Sequence, residues 1–259
     1  MSRFSHLEFG DKRRSQKTDG LGEPVRDQDF FAERAMTYWL AGDFEQALQN
    51  YSRALEKNSA FYPGWFGQVR MLIELREYPE ARLWADKALE LFPDHPELLA
   101  AKAVAFARDA DVNKAQAFSD AAMTKKAVSS YVWLARAEVL LIRRRPAAEN
   151  CLQNALSLAG EGSAVVRLNA GRVLLRHGHY SSATEYLRAA AQDLPRSALA
   201  WYELGRCQVR LGFPEADVSL KQSLLLHPGW AEADGALRRF RKRGLLGRLW
   251  SRLRRRRER

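Results

Sequence analysis

A stretch of 34 residues, AVVRLNAGRVLLRHGHYSSATEYLRAAAQDLPRS at positions 164–197, sets the pattern for most of the chain. Moving from it in steps of 34 gives further starts at Gln28, Tyr62, Pro96, Ser130 and Ala198. The eighth position is small or slender in every unit: Ala35, Val69, Ala103, Ala137, Gly171 and Gly205. The twentieth is always alanine: Ala47, Ala81, Ala115, Ala148, Ala183 and Ala216. The twenty-seventh is Ala54, Ala88, Ala122, Ala155, Ala190 and Ser223. Units four and six need a shift of one residue for the last two sets, because their middle turns, at Arg143–Pro146 and Gly212–Pro214, are one residue shorter. A fixed period of this length constrains the fold more than any bulk property. Each unit is one supersecondary piece that cannot bury its apolar face alone, and stacked copies can.

Within a unit the apolar residues follow a helical period twice, with a break in the middle. Gly42-Asp43-Phe44, Arg76-Glu77-Tyr78 and Gly178-His179-Tyr180 supply that break, glycine giving the positive φ that ends a helix. Pro93, Pro195 and Pro228 stop second helices, since proline cannot continue one. Small residues at the eighth, twentieth and twenty-seventh positions let two helix axes approach toward the low end of about 8–10 Å. Phe31, Trp65, Leu99, Trp133 and Trp201 at the fourth position fill the rest. After Pro228 the residues Trp230, Ala233, Leu237 and Phe240 keep a helical period, so 229–243 reads as a helix that caps the last exposed face.

This pattern resembles the tetratricopeptide repeat family, over residues 28–228. The resemblance is weakest in units three and four, where Ala127 and Gly160 stand in place of the closing proline, and unit five departs at Arg167. It implies an all-α fold: a right-handed superhelical α-solenoid of six helix-turn-helix repeats with a C-terminal capping helix, thirteen main helices in total. It also implies that the first helix of each repeat lines a concave groove, and that this is a non-catalytic scaffold binding a partner segment there. The groove positions include Met36, Trp39, Phe66 and Arg70 in the N-terminal half, and Leu168, Arg172, Arg176, Tyr202, Arg206 and Arg210 in the C-terminal half. Arginine suits bidentate capture of carboxylates, so the expected partner is an acidic protein or peptide segment. The Lys and Asn clamp that some relatives use for a chaperone tail is absent, its positions reading Ala32, Met36, Phe66, Arg70, Ala100 and Val104.

Charge separates a body from a tail. The chain carries a net +11, and residues 238–259 hold twelve Lys or Arg against Glu258, which is also +11. The preceding residues are neutral. In the segment 244–259, Leu245, Leu246, Leu249, Trp250 and Leu253 share one helical face, while Arg248, Arg252, Arg254, Arg255, Arg256 and Arg257 supply the charge. A basic amphipathic helix with a tryptophan suits an anionic membrane surface; nucleic acid, met through phosphates, and an acidic protein are the alternative partners. Residues 1–27 are polar and read as a disordered arm with one apolar cluster, Phe4, Leu7 and Phe9.

No phosphate loop, HExxH, CxxC or nucleophile elbow is present, so neither enzyme activity, cofactor, metal nor small-molecule substrate is expected. His177 and His179 flank a turn glycine with no third ligand nearby in sequence. Two cysteines in separate repeats, no apolar leader and no long apolar run predict a cytoplasmic protein, held peripherally at the inner membrane face by its tail.

Overall fold

The structure is a computed structural model; it describes residues 26–126, 128–160 and 163–242. These residues form helices joined by short turns, with no strand among them. The helices pair in sequence. They are α1 (Gln28–Ala41) with α2 (Phe44–Lys57), α3 (Tyr62–Glu74) with α4 (Tyr78–Leu91), and α5 (Pro96–Arg108) with α6 (Val112–Met123). There follow α7 (Ser130–Ile142) with α8 (Ala148–Ala159), α9 (Ser163–Arg176) with α10 (Tyr180–Asp193), and α11 (Ala198–Leu211) with α12 (Ala216–Leu226). A further helix, α13 (231–242), lies on the last pair.

The turn within each pair keeps the period to the residue. Gly42, Arg76, Ala110, Arg144, Gly178 and Gly212, spaced by 34, all have positive φ. The residue missing from repeats four and six therefore falls after this position, at the start of the second helix. Side-chain caps begin several helices: Asp27, Asp43, Asp111 and Ser197 each accept a bond from the backbone N–H three residues on, satisfying donors the helix itself cannot. The alanines of the repeat are deeply buried, Ala35, Ala47, Ala54, Ala183 and Ala190 being wholly inaccessible. At Gly171 the approach is closer than alanine would allow, since a Cβ there would stand 2.5 Å from Leu187 Cγ.

The odd-numbered helices contact one another in order, and α11 in turn contacts α1. Six first helices thus close into an inner ring with the even-numbered helices outside. The closure is specific. Ser197 Oγ, at the start of α11, donates to the Leu40 carbonyl at the end of α1 (2.8 Å), and His227 Nδ1 lies 2.8 Å from the Ala41 carbonyl. Trp230, buried, lies flat over Gly42, where an added Cβ would meet its ring at 2.4 Å. Because the start of α11 meets the end of α1, the ring is a single turn of a spiral: repeat six is offset along the axis from repeat one.

Candidate functional site

Closure places the groove positions inside a ring, and their fates differ. Trp39 (1% exposed) and Leu168 (0%) are core residues. Met36 and Phe66 are half-buried, and Phe66 stacks with Tyr62 at 6.0 Å between ring centroids. Arg70 lies over the rings of Trp39, Phe66 and Tyr131, each centroid about 5.4–5.5 Å away. Arg172 corrects the expectation of a ligand-facing arginine. Its side chain is 6% exposed, and all three guanidinium nitrogens are engaged: Nη1 and Nη2 donate to both oxygens of Glu74 at 2.9 and 2.6 Å, and Nε to Glu203 Oε1 at 3.0 Å. Glu74 and Arg172 are 98 residues apart in sequence, so the pair spans the ring from repeat two to repeat five.

This pair is the centre of a wider network. Arg108 donates to both oxygens of Glu138 (2.9 and 3.1 Å) and sits 3.9 Å from Glu74. Arg176 donates to Glu138 and Arg206 to Glu203. Four arginines therefore face three carboxylates. Burial alone would raise the Glu74 and Glu138 carboxyls, but the neighbouring arginine charges overcome it: Arg172 and Arg108 hold Glu74 well below the carboxylate range, and Arg108 and Arg176 hold Glu138 down at about 2. Arg172 and Arg108 are shifted upward, their glutamate partners outweighing burial. Arg176 is shifted the other way, by burial first and then by repulsion from Arg108.

Above this floor lies an open cavity of about 910 Å³. Turn residues of the first repeats, among them Gly42, Phe44, Arg76 and Tyr78, line one side; repeat six and the cap contribute Tyr202, Glu203, Arg206, Trp230 and Glu232. The offset of the spiral makes this a funnel, with the inner face of α11 standing over the turns of repeat one. Tyr202 and Trp230 form an aromatic wall, their centroids 4.5 Å apart. Arg176 and Arg206 reach the funnel with 31% and 44% of their side chains exposed. Arg210 is exposed but is not among the lining residues. His177 also lines the funnel; its Nε2 is buried without a partner, and burial pushes its pKa down. Among the described residues no group of three or more His, Cys, Asp or Glu is placed to hold a metal, and no helix is long and apolar enough to cross a membrane. Cys151 and Cys207 are buried and free. The tail, with Leu245, Leu246, Arg248, Leu249, Trp250, Arg252, Leu253 and Arg254 to Arg257, lies outside the described residues, as does the Phe4, Leu7 and Phe9 cluster.

Sequence reading missed Glu138, Glu203 and Arg108. The available signal was a charge set among apolar neighbours on an inner helix, clearest in α7. Glu138 is the lone acid of SYVWLARAEVLLI in α7.

A family model for tetratricopeptide repeats matches residues 33–96 and 168–220. These two segments carry the tetratricopeptide-repeat pattern. No curated protein matches it. Among solved structures, a chain of the APC/C hetero-tetramer Cut9–Hcn1 aligns with a TM-score of 0.53 at 17% identity, over 83% of this chain and 43% of that one. A thermophilic tetratricopeptide-repeat protein of Thermus thermophilus gives 0.52 at 16% identity, over 70% of this chain and 99% of that one. The human IFIT1 dimer with m7Gppp-AAAA gives 0.54 at 18% identity, over 83% and 56%. At these identities the likeness is one of fold, an all-α helical repeat array.

Proposed function

We propose that this tetratricopeptide-repeat chain is a non-catalytic adaptor that receives an acidic partner segment in the funnel, and that its basic tail attaches it to an anionic membrane surface. One observation carries the first part: the funnel floor has four arginines for three carboxylates, and the two arginines that reach solvent there, Arg176 and Arg206, each give only one bond to a glutamate. Guanidinium donors left over beside an aromatic wall favour a carboxylate carried on an apolar or aromatic segment. The volume, about 910 Å³, admits a few side chains rather than a folded domain. Screening immobilised short peptides of both charge signs tests this. Arg176→Glu and Arg206→Glu together are expected to abolish capture of acidic peptides while helix content is unchanged. Undiminished capture by the double variant refutes the reading.

The second part rests on the coincidence, in 244–259, of an apolar stripe with most of the chain's excess charge. Each basic residue near an anionic leaflet contributes about 1 kcal/mol, a contribution that salt screens; burial of Trp250 and the leucines adds one that salt does not. Cosedimentation with anionic and neutral vesicles, with RNA as competitor, separates the membrane from nucleic acid as the tail's partner.

A further inference from the structure

The face of the ring formed by the turns within helix pairs is divided in charge. In repeats one and three the acids at the turn are used within the fold: Asp43 caps α2, Asp111 caps α6, and Asp109 is paired with Arg82 at 2.6 Å. At the repeat-four turn Arg143, Arg144 and Arg145 point to solvent, as does Arg210 near the end of α11, while the repeat-six turn itself carries one exposed acid, Glu215. Arg143, Arg144, Arg145 and Arg210 are all exposed. Arg143 is bonded to the neutral side chain of Asn113; among the described residues Arg144, Arg145 and Arg210 have no carboxylate partner. Arg144 also holds a positive φ, 53°, at the position where repeats one, five and six have glycine, a conformation that disfavours a side chain.

Two further observations lie on the same sector. Phe213, next to the repeat-six turn glycine, is 40% exposed. The chain also leaves the ring here. The cap helix α13 runs back along α12, and Arg241 Nε lies 2.6 Å from Asp217 Oδ1 in the first turn of α12. Lys242 therefore stands beside the repeat-six turn, and the eight arginines of 243–259 follow directly from that point. The offset of the spiral raises repeats four to six above repeats one to three on this side.

We infer that this sector of the turn face, Arg143 to Arg145 with Arg210 and Phe213, is a docking surface for an anionic phospholipid bilayer, and that the body of the protein sits on the membrane turn-face down. The inference rests on the tail reading and adds a defined orientation to it. Arginine meets phosphate through paired donors, and charges held within a Debye length of about 8–10 Å of the phosphate plane escape most screening. An exposed phenylalanine beside them suits the interfacial zone, where aromatic side chains settle. With the body so placed, the funnel opens toward the membrane surface, and a segment emerging from the bilayer or lying on it has the shortest path into it.

The test uses the full chain and vesicles of phosphatidylcholine with phosphatidylserine and a headgroup-borne quencher. The native cysteines are buried, so a dye can be attached through His179→Cys on the turn face or through Ala60→Cys on the opposite end. The label at position 179 is expected to be quenched and that at 60 spared. The variant R143Q/R144G/R145Q/R210Q, with the tail intact, is expected to lose about tenfold or more in partitioning and to lose the asymmetry of quenching. The tail variant R254Q/R255Q/R256Q/R257Q is expected to bind more weakly too, with the asymmetry kept in what remains bound. If the unmodified chain binds vesicles but both labels are quenched alike, or if the turn-face variant binds as the unmodified chain does, the docking surface is refuted while the tail anchor stands. If the unmodified chain ignores anionic vesicles and shifts RNA at physiological salt, both fall and the partner is nucleic acid.

Discussion

Replacing Arg172 by methionine removes the centre of the charged floor. The side chain is 6% exposed, and its two partners, Glu74 and Glu203, are 13% and 5% exposed, so water repairs little of the damage. Three charge-assisted bonds are lost, and two carboxylates are left to weaker company: Glu74 keeps Arg108 at 3.9 Å and Glu203 keeps Arg206 at 2.8 Å. Removing one partner of a buried pair costs about 3–5 kcal/mol. The surviving arginines place this case near the lower end, about 3 kcal/mol. With a urea m-value of about 1–3 kcal/mol/M, the unfolding midpoint followed by circular dichroism is expected to fall by about 1–3 M. Adding Glu74→Gln to Arg172→Met is expected to return part of that loss, because the orphaned charge goes with it. The exposed Arg188, replaced in the same way, is the control. If Arg172→Met shifts the midpoint no more than Arg188→Met, the pair between repeats two and five does not hold the ring together.

Acidification acts on the same floor. Glu74 and Glu138 titrate below their ordinary value of 4.5 in the folded protein, Glu138 at about 2; their contribution is complete above 4.5 and is lost as pH falls toward 2, so the urea midpoint is expected to fall steeply below pH 4.5, less so in Glu138→Gln, after a shallower fall through pH 6.5 as the unfolded chain protonates His95 and His177, which burial holds down in the fold. Gly171→Ala puts a Cβ 2.5 Å from Leu187 and 3.3 Å from the Ala183 carbonyl, and thermal unfolding is expected to report a loss of about 1–3 kcal/mol from overpacking.

The helices and their pairing were legible because each repeat states them again. Alanine at the twentieth position and a turn residue of positive φ every 34 residues are local requirements, visible without knowing the rest of the chain. Even Arg76, Ala110 and Arg144, which lack glycine's freedom, adopt the same turn because the repeats on either side impose it. The closure was not legible. Whether a spiral meets itself after six units depends on small rotations summed over all of them, and no single residue encodes that sum. The charged floor followed from the closure. Arg172 and Arg176 read as ligand contacts because their groove positions were correct, while Glu74, which neutralises Arg172 together with Glu203 of the adjoining repeat, comes from a repeat that touches it only once the ring is shut. Tail residues such as Trp250 stand on pattern and charge alone.

The closed ring is the claim on which the funnel, the floor and the docking face depend, and one distance tests it. Spin labels introduced through Thr37→Cys, one turn before the end of α1, and Arg196→Cys, beside the start of α11, occupy exposed positions on the two sides of the closing contact. In the ring the labels are expected to give a narrow distribution within about 20 Å, since Leu40 and Ser197 are hydrogen-bonded and a helical turn rises about 5.4 Å; Trp230→Ala is expected to broaden it. Ten helices spaced by about 8–10 Å would part the same labels by more than about 40 Å in an open array. A distribution centred there in the unmodified chain would contradict the account.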